Sequence, residues 1–154
     1  MGSVQAIWAF LSLVCIVHAF SGLPKYFKDC GSEKGAILSV SVSGCSETDD
    51  QCELKKGTTI HVAIQFKSSE VITNATAVVH GILAGIPVPF PIDQPDGCKS
   101  GFTCPVKEGE EVTYKSDIAV SKNYPSVKVV VKWELKDQNS KDIFCALFKS
   151  EIIS

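Results

Sequence analysis

Six cysteines spread through a β-rich stretch, Cys30, Cys45, Cys52, Cys98, Cys104 and Cys145, constrain this chain more than any other feature. They follow an almost uninterrupted apolar run at the N-terminus, Ala6 to Phe20 (AIWAFLSLVCIVHAF). That run is shorter than the roughly 20 apolar residues of a membrane span, and Ser21, Gly22, Pro24 and Lys25 follow it closely. It reads as a signal peptide over residues 1–19, cut after Ala19 in Val17-His18-Ala19, although no Lys or Arg precedes the apolar core. Removing it takes away Cys15 and leaves an even set of cysteines in an export context, the setting in which disulfides form and persist.

Six cysteines allow on the order of fifteen pairings. Cys45/Cys52 and Cys98/Cys104 each enclose a short polar loop able to bring its ends within bridging distance, which leaves Cys30 and Cys145 for each other. Zinc is the competing use of cysteine, but the pairs lack Cys-x-x-Cys spacing and histidine partners. Residues 20–154 are of one-domain length, long enough for a single core. The net charge is -2 and all 15 basic residues are Lys, so the bidentate Arg contacts of a nucleic-acid binder are missing.

Alternation of apolar and polar residues predicts an all-β domain. In Val127 to Leu135, residues Val127, Val129, Val131, Trp133 and Leu135 share one face, and Lys128, Lys132 and Glu134 the other. Ile60, Val62, Ile64 and Phe66 form a second set, and further strands are expected at Ala36 to Ser43, Thr73 to Leu83, Glu111 to Val120 and Asp142 to Ile152. Short strands with one apolar face, punctuated by Gly, Pro, Asp and Asn, imply two antiparallel sheets packed face to face, with only short helical turns. Asn74-Ala75-Thr76 is an N-glycosylation sequon, and its use requires Asn74 to face solvent.

Nothing in this chain has the pattern of a catalytic centre. The domain has only His61 and His80 as histidines, and neither sits in a nucleophile or metal-ligand motif. The acidic group Glu47, Asp49, Asp50 and Glu53 around the Cys45/Cys52 loop reads as solvated charge rather than a calcium site. No metal, cofactor or enzymatic activity is expected. The unusual segment is Gly85 to Pro105 (GIPVPFPIDQPDGCKSGFTCP), where Pro87, Pro89 and Pro91 alternate with Ile86, Val88, Phe90 and Ile92. Prolines fix φ and cannot donate to a ladder, so the segment is stiff and edge-like. It suits either the mouth of a cavity or a sheet-edge breaker with Phe90 in the core.

Three separated strings carry a resemblance: VVHGILAGIPVPFPIDQPDGCKSGFTCP, FKDCGS at Phe27 to Ser32, and YPSVKVVVKWELKD at Tyr124 to Asp137. Together they resemble the ML lipid-recognition domain family, in its Niemann-Pick type C-two group, over essentially all of residues 20–154 and all six cysteines. The resemblance implies an immunoglobulin-like β-sandwich whose two antiparallel sheets hold an apolar cavity between them, with disulfides Cys30/Cys145, Cys45/Cys52 and Cys98/Cys104. It implies a monomeric carrier in the extracellular fluid or the lysosomal lumen, binding cholesterol or a related sterol and passing it to membranes or to a Niemann-Pick type C-one-like membrane protein. Carried over by position, Val42, Phe90, Val120, Tyr124, Pro125 and Trp133 would belong to the pocket or its mouth. His80, Gly81, Ile82, Leu83, Ile86 and Val88 would form the surface that meets a membrane or partner, and Asp96 and Lys99 would act in transfer.

Physical chemistry is compatible with that cargo. A sterol buries several hundred Å² of apolar surface, on the order of 10 kcal/mol at ~25 cal/mol/Å² before association costs. Near pH 5, protonation of His61, His80 and part of the carboxylates would make the domain net positive and favour transient contact with anionic membranes. One residue departs from the mammalian pattern: Ala146 stands directly after the last cysteine where that pattern has Trp, which would enlarge or reshape the cavity. The alternatives are therefore a carrier of fatty acids or semiochemical-like lipids, and an innate-immune lipid-recognition module.

Overall fold

Branched apolar residues at every second position build strands whose one face must find a partner, and here two sheets bury those faces against each other. The computed structural model describes residues 22–154, so the apolar leader and Cys15 lie outside the described residues. The strands are β1 (Phe27–Asp29), β2 (Gly35–Val42), β3 (Cys52–Lys55), β4 (Thr59–Ser68), β5 (Thr76–Leu83), β6 (Ile86–Phe90), β7 (Glu111–Ala119), β8 (Lys128–Lys136) and β9 (Asp142–Ile153). One 3₁₀ turn spans Gly97–Lys99. The larger, six-stranded sheet runs β1-β9-β8-β5-β6 with β3 also paired to β9, and the smaller runs β2-β4-β7.

Pairing is antiparallel throughout the described residues except between β3 and β9. Strand β9 is long enough to serve two partners along one edge: Ala146 to Phe148 pair with β1, and Ser150 to Ile153 pair in parallel with β3. The cystines pin this arrangement at Cys30–Cys145, Cys45–Cys52 and Cys98–Cys104, with Cα separations of 5.0, 5.3 and 5.3 Å. Cys30–Cys145 ties the segment after β1 to the middle of β9, while the other two close surface loops.

Three strands escape the sequence pattern. β1 and β3 have three and four residues, too few to display a period. β6 is the proline-rich segment, paired with β5 from Val79↔Phe90 to Leu83↔Ile86. Prolines two residues apart turn their donorless positions to the same side of a strand, so such a strand can have one neighbour only. β6 is accordingly an edge that no further strand can extend.

The deepest part of the core is aromatic. Tyr114 packs edge-on against Trp133 and Phe144 at 5.9 and 5.7 Å, and Phe66 against Phe144 and Phe102 at 5.7 Å each. Trp133 Nε1 donates to the Tyr114 hydroxyl at 3.1 Å, joining β8 of one sheet to β7 of the other. Burial holds the Tyr114 phenol in its neutral form, with its pKa above the ordinary tyrosine value. Tyr114→Phe leaves the indole N–H buried without an acceptor, and is expected to lower unfolding free energy by about 1–3 kcal/mol. Equilibrium denaturation measures this; an unchanged midpoint would show that the inter-sheet bond contributes nothing.

Candidate functional site

Position along β8 decides what each inward side chain does. Val127, just before the strand, Val129 and Val131 line a cavity of about 360 Å³. Val131 and Trp133 line a second, smaller void of about 20 Å³. Leu135, the next inward residue, is fully buried. Inward residues follow one another at about 6.6 Å on a strand, so the sandwich passes from open cavity to sealed aromatic core within a few residues.

The cavity exists because the sheets do not match. Six strands face three, and of the smaller sheet's strands only β7 contributes a lining residue, Ile118. The wall opposite β8 is supplied by Ile118 of β7 and Val120 beyond it, and by the Tyr124-Pro125 loop. Leu54, Ile118 and Val131 border both the cavity and the inner void, and form the partition between them. Gly81 stands opposite Val131 of β8 and Val88 of β6. A Cβ there would come 3.3 Å from Val129 Cγ2, so the missing side chain keeps this part of the wall recessed.

At the mouth, the Phe90 ring meets the Tyr124 ring edge-on at 6.0 Å. Proline flanks both, at Pro89, Pro91 and Pro125, which restricts the backbone carrying each ring. Beside them the β5–β6 hairpin turns through Ala84 and Gly85, with φ of 48° and 79°, the left-handed pair of a tight hairpin turn. The hairpin presents Leu83, Ile86 and Val88 to solvent, with Ile86 66% and Val88 45% exposed. Large apolar residues gathered at the rim of an apolar cavity mark a contact surface more strongly than the same residues scattered singly.

The residues singled out from sequence divide into groups. Phe90, Val120, Tyr124 and Pro125 line the cavity, whereas Val42 and Trp133 line the inner void behind it. His80, Gly81, Leu83 and Val88 border the cavity, and Ile82 and Ile86 lie on the same hairpin. Asp96 and Lys99 are elsewhere. Asp96 bridges to Thr76, at the far end of β5 from Leu83, some 23 Å away at ~3.3 Å per residue. Its Oδ1 accepts from Cys98 N at 2.9 Å and caps the 3₁₀ turn, so the structure does not bring Asp96 and Lys99 to the rim.

Asn74 is exposed in the loop before β5, at this same far end. Ala146 is fully buried opposite Trp133 and is not among the residues that line the cavity or the void. Sequence reasoning did not single out Leu54, Ile118 and Ile152 as lining residues. Ile118 lay within an expected strand but lacked a long alternating run, and Leu54 lies on a strand too short to show one.

Chemically the cavity offers hydrocarbon surface, with His80 and Tyr124 as the titratable residues along it. Space with so few polar partners favours an apolar guest over water. His61 pairs with Asp117 across β4 and β7 at 2.5 Å, on an exposed face away from the cavity. In the acidic loop, Asp49 Oδ2 accepts from Ser46 N at 2.8 Å and so serves the loop itself. Glu134, Asp142 and Cys145 lie together, but Cys145 is in a cystine and Lys136 Nζ stands 3.2 and 3.4 Å from the two carboxylates.

Fold and site together define a disulfide-stapled, two-sheet sandwich that keeps an apolar cleft open between its sheets. Residues 25–152 match the ML domain family. The chain belongs to that family. It is 46% identical over 137 residues to NPC intracellular cholesterol transporter 2 of Mus musculus, covering 89% of this chain and 91% of that protein. It is 44% identical over 131 residues to the protein of the same name from Danio rerio, covering 85% and 87%. Among solved structures, a Niemann-Pick type C2 protein from Japanese carpenter ant superposes with a TM-score of 0.79 at 34% identity, covering 82% of this chain and 98% of that one.

Proposed function

We propose that this protein is a carrier of sterol-type lipid, which it holds between its sheets and releases through the β5–β6 rim. The observation that carries this reading is the apolar cavity of about 360 Å³ opening beside exposed Leu83, Ile86 and Val88. Similarity to the intracellular cholesterol transporters of Mus musculus and Danio rerio supports the cargo class. The reading is transport without bond-making chemistry, because the cavity wall is hydrocarbon and affinity follows from apolar area and shape.

The carrier would act after loss of residues 1–19, as a domain of residues 20–154, in the extracellular fluid or the lysosomal lumen. Three cystines support an oxidising compartment. A glycan on Asn74 would project from the end away from the rim, leaving exchange with a membrane or with a Niemann-Pick type C-one-like acceptor unobstructed. Mass spectrometry of lipids copurifying with the secreted protein, followed by competition of sterol against long-chain fatty acid on delipidated protein, tests the reading. Sterol is expected to win; fatty acid displacing sterol at equal concentration would reassign the cargo.

Phe90 and Tyr124 would act as the stiff gate. Phe90→Ala removes one of two rings at the mouth and is expected to weaken sterol binding roughly tenfold, on the order of one lost aromatic contact. Undiminished binding in a fluorescence competition assay would remove Phe90 from the site.

A further inference from the structure

We propose that Glu70 and Asp137 form a proton-held clasp that fastens the end of the sandwich opposite the cavity mouth in mild acid and loosens it as the medium becomes alkaline. Three segments meet there. Asp142 O accepts from Glu33 N and Lys34 N, both at 3.0 Å, and Lys34 O accepts from Ser69 N at 2.9 Å. Gln138 links the two remaining segments, donating through Nε2 to Val71 O and accepting from Thr73 N, each at 3.1 Å. Glu70 and Asp137 sit at the same junction between the β4–β5 loop and the β8–β9 turn.

Asp137 Oδ1 accepts from the amides of Asn139 and Lys141 at 2.8 and 2.9 Å, which holds the turn and favours an ionised carboxylate. Its other oxygen, Oδ2, is buried with no donor among the protein groups, and so is Glu70 Oε1. Two carboxylates, each with a buried, orphaned oxygen, repel when both are charged, and one shared proton satisfies both. Gln138, next to Asp137, binds Val71 and Thr73, just after Glu70, so the two carboxylates share one junction, and Lys34, just before β2, is the cation that acts on both. The bond to Asp137, then burial, raises the pKa of Glu70. Burial opposes ionisation of Asp137, but the bonds from Glu70, Lys141 and Asn139 together hold its pKa below the usual carboxylate value.

These shifts give the clasp a window. A carboxyl whose proton is held more tightly in the fold adds stability at low pH and loses it as the pH rises through its raised pKa. Asp137 contributes in the opposite sense, and its part is lost only as the pH falls through its lowered pKa. The singly protonated pair is strongest between those two limits, in mild acid. This inference does not depend on what the cavity holds.

Hydrogen exchange of the Asn139 and Lys141 amides, corrected for intrinsic rates, reads the clasp directly. In the unmodified protein their protection is expected to fall about tenfold between pH 5 and pH 8, as the shared proton is lost. Glu70→Gln supplies an N–H donor to Asp137 at every pH and should hold protection level across that range. Glu70→Ala should be level too, but about tenfold lower than the unmodified protein at pH 5. The nearby carboxylates Glu134 and Asp142, both held by Lys136, are present in all three proteins, so the differences among the three isolate the clasp. Constant protection in the unmodified protein, or the same pH slope in Glu70→Gln, would overturn the proposal.

Discussion

Val131→Phe is expected to reduce binding of the proposed sterol roughly a hundredfold while leaving the fold intact. Val131 borders both the cavity and the inner void, so a ring placed there enters space that is already empty. The substitution therefore avoids the usual penalty of overpacking a filled core. A phenyl group would take the place of ligand contact on the order of 100 Å², or about 2.5 kcal/mol at ~25 cal/mol/Å². Val130→Phe is the control, because its side chain alternates to the opposite face of the same strand, where Val130 pairs with Lys149. Equal affinity of Val131→Phe and the unmodified protein, measured by titration after delipidation, would mean that cargo does not occupy this cavity.

Removing the Cys30–Cys145 bridge, by replacing both residues with Ala, is expected to produce the largest loss of stability. The bridge spans 115 residues of sequence, against 7 for Cys45–Cys52. The chain-entropy model then gives roughly 4–5 kcal/mol for the first and about 2.4 kcal/mol for the second. Against a total of about 5–15 kcal/mol for a domain, the longer bridge is a large fraction. Thermal unfolding should shift by roughly 10–20 °C, at about 2–4 °C per kcal/mol for a domain of this size. A shift no larger than that from the Cys45→Ala, Cys52→Ala protein would show that loop length is not what makes this bridge matter. The difference is structural as well: the long bridge joins the segment after β1 to β9, where Cys145 N donates to Ser32 Oγ at 3.1 Å and Cys145 O accepts from Cys30 N at 3.0 Å.

Much of this molecule was legible in the order of its residues. The alternation in β8 named the face that lines the cavity, since Val127, Val129 and Val131 all point inward. The run Ile60, Val62, Ile64 and Phe66 likewise became the buried face of β4. Proline at alternate positions marked an edge, but not that the edge would be a paired strand. Propensity treats proline as a breaker, whereas the register of β6 lets its donorless side face away from β5.

Resemblance grouped Asp96 and Lys99 with the hairpin residues of the rim. A string of sequence carries no distance, and β5 separates Thr76, to which Asp96 bridges, from Leu83 by its whole length. The same blindness applied to Ala146. Its small side chain suggested a larger cavity, yet the packing around Trp133 leaves it buried away from both spaces.

Period, turn chemistry and thiol spacing are local properties, so the order of residues was enough for the fold class, the inward faces of β4 and β8 and the cysteine set that staples the sheets. Where the interior stays open is a matter of tertiary packing. That depends on six strands facing three, on a glycine recessed between Val131 and Val88, and on an aromatic plug that stops at Trp133. A cavity is the volume that packing fails to fill, and it is a property of distant elements taken together rather than of any one segment.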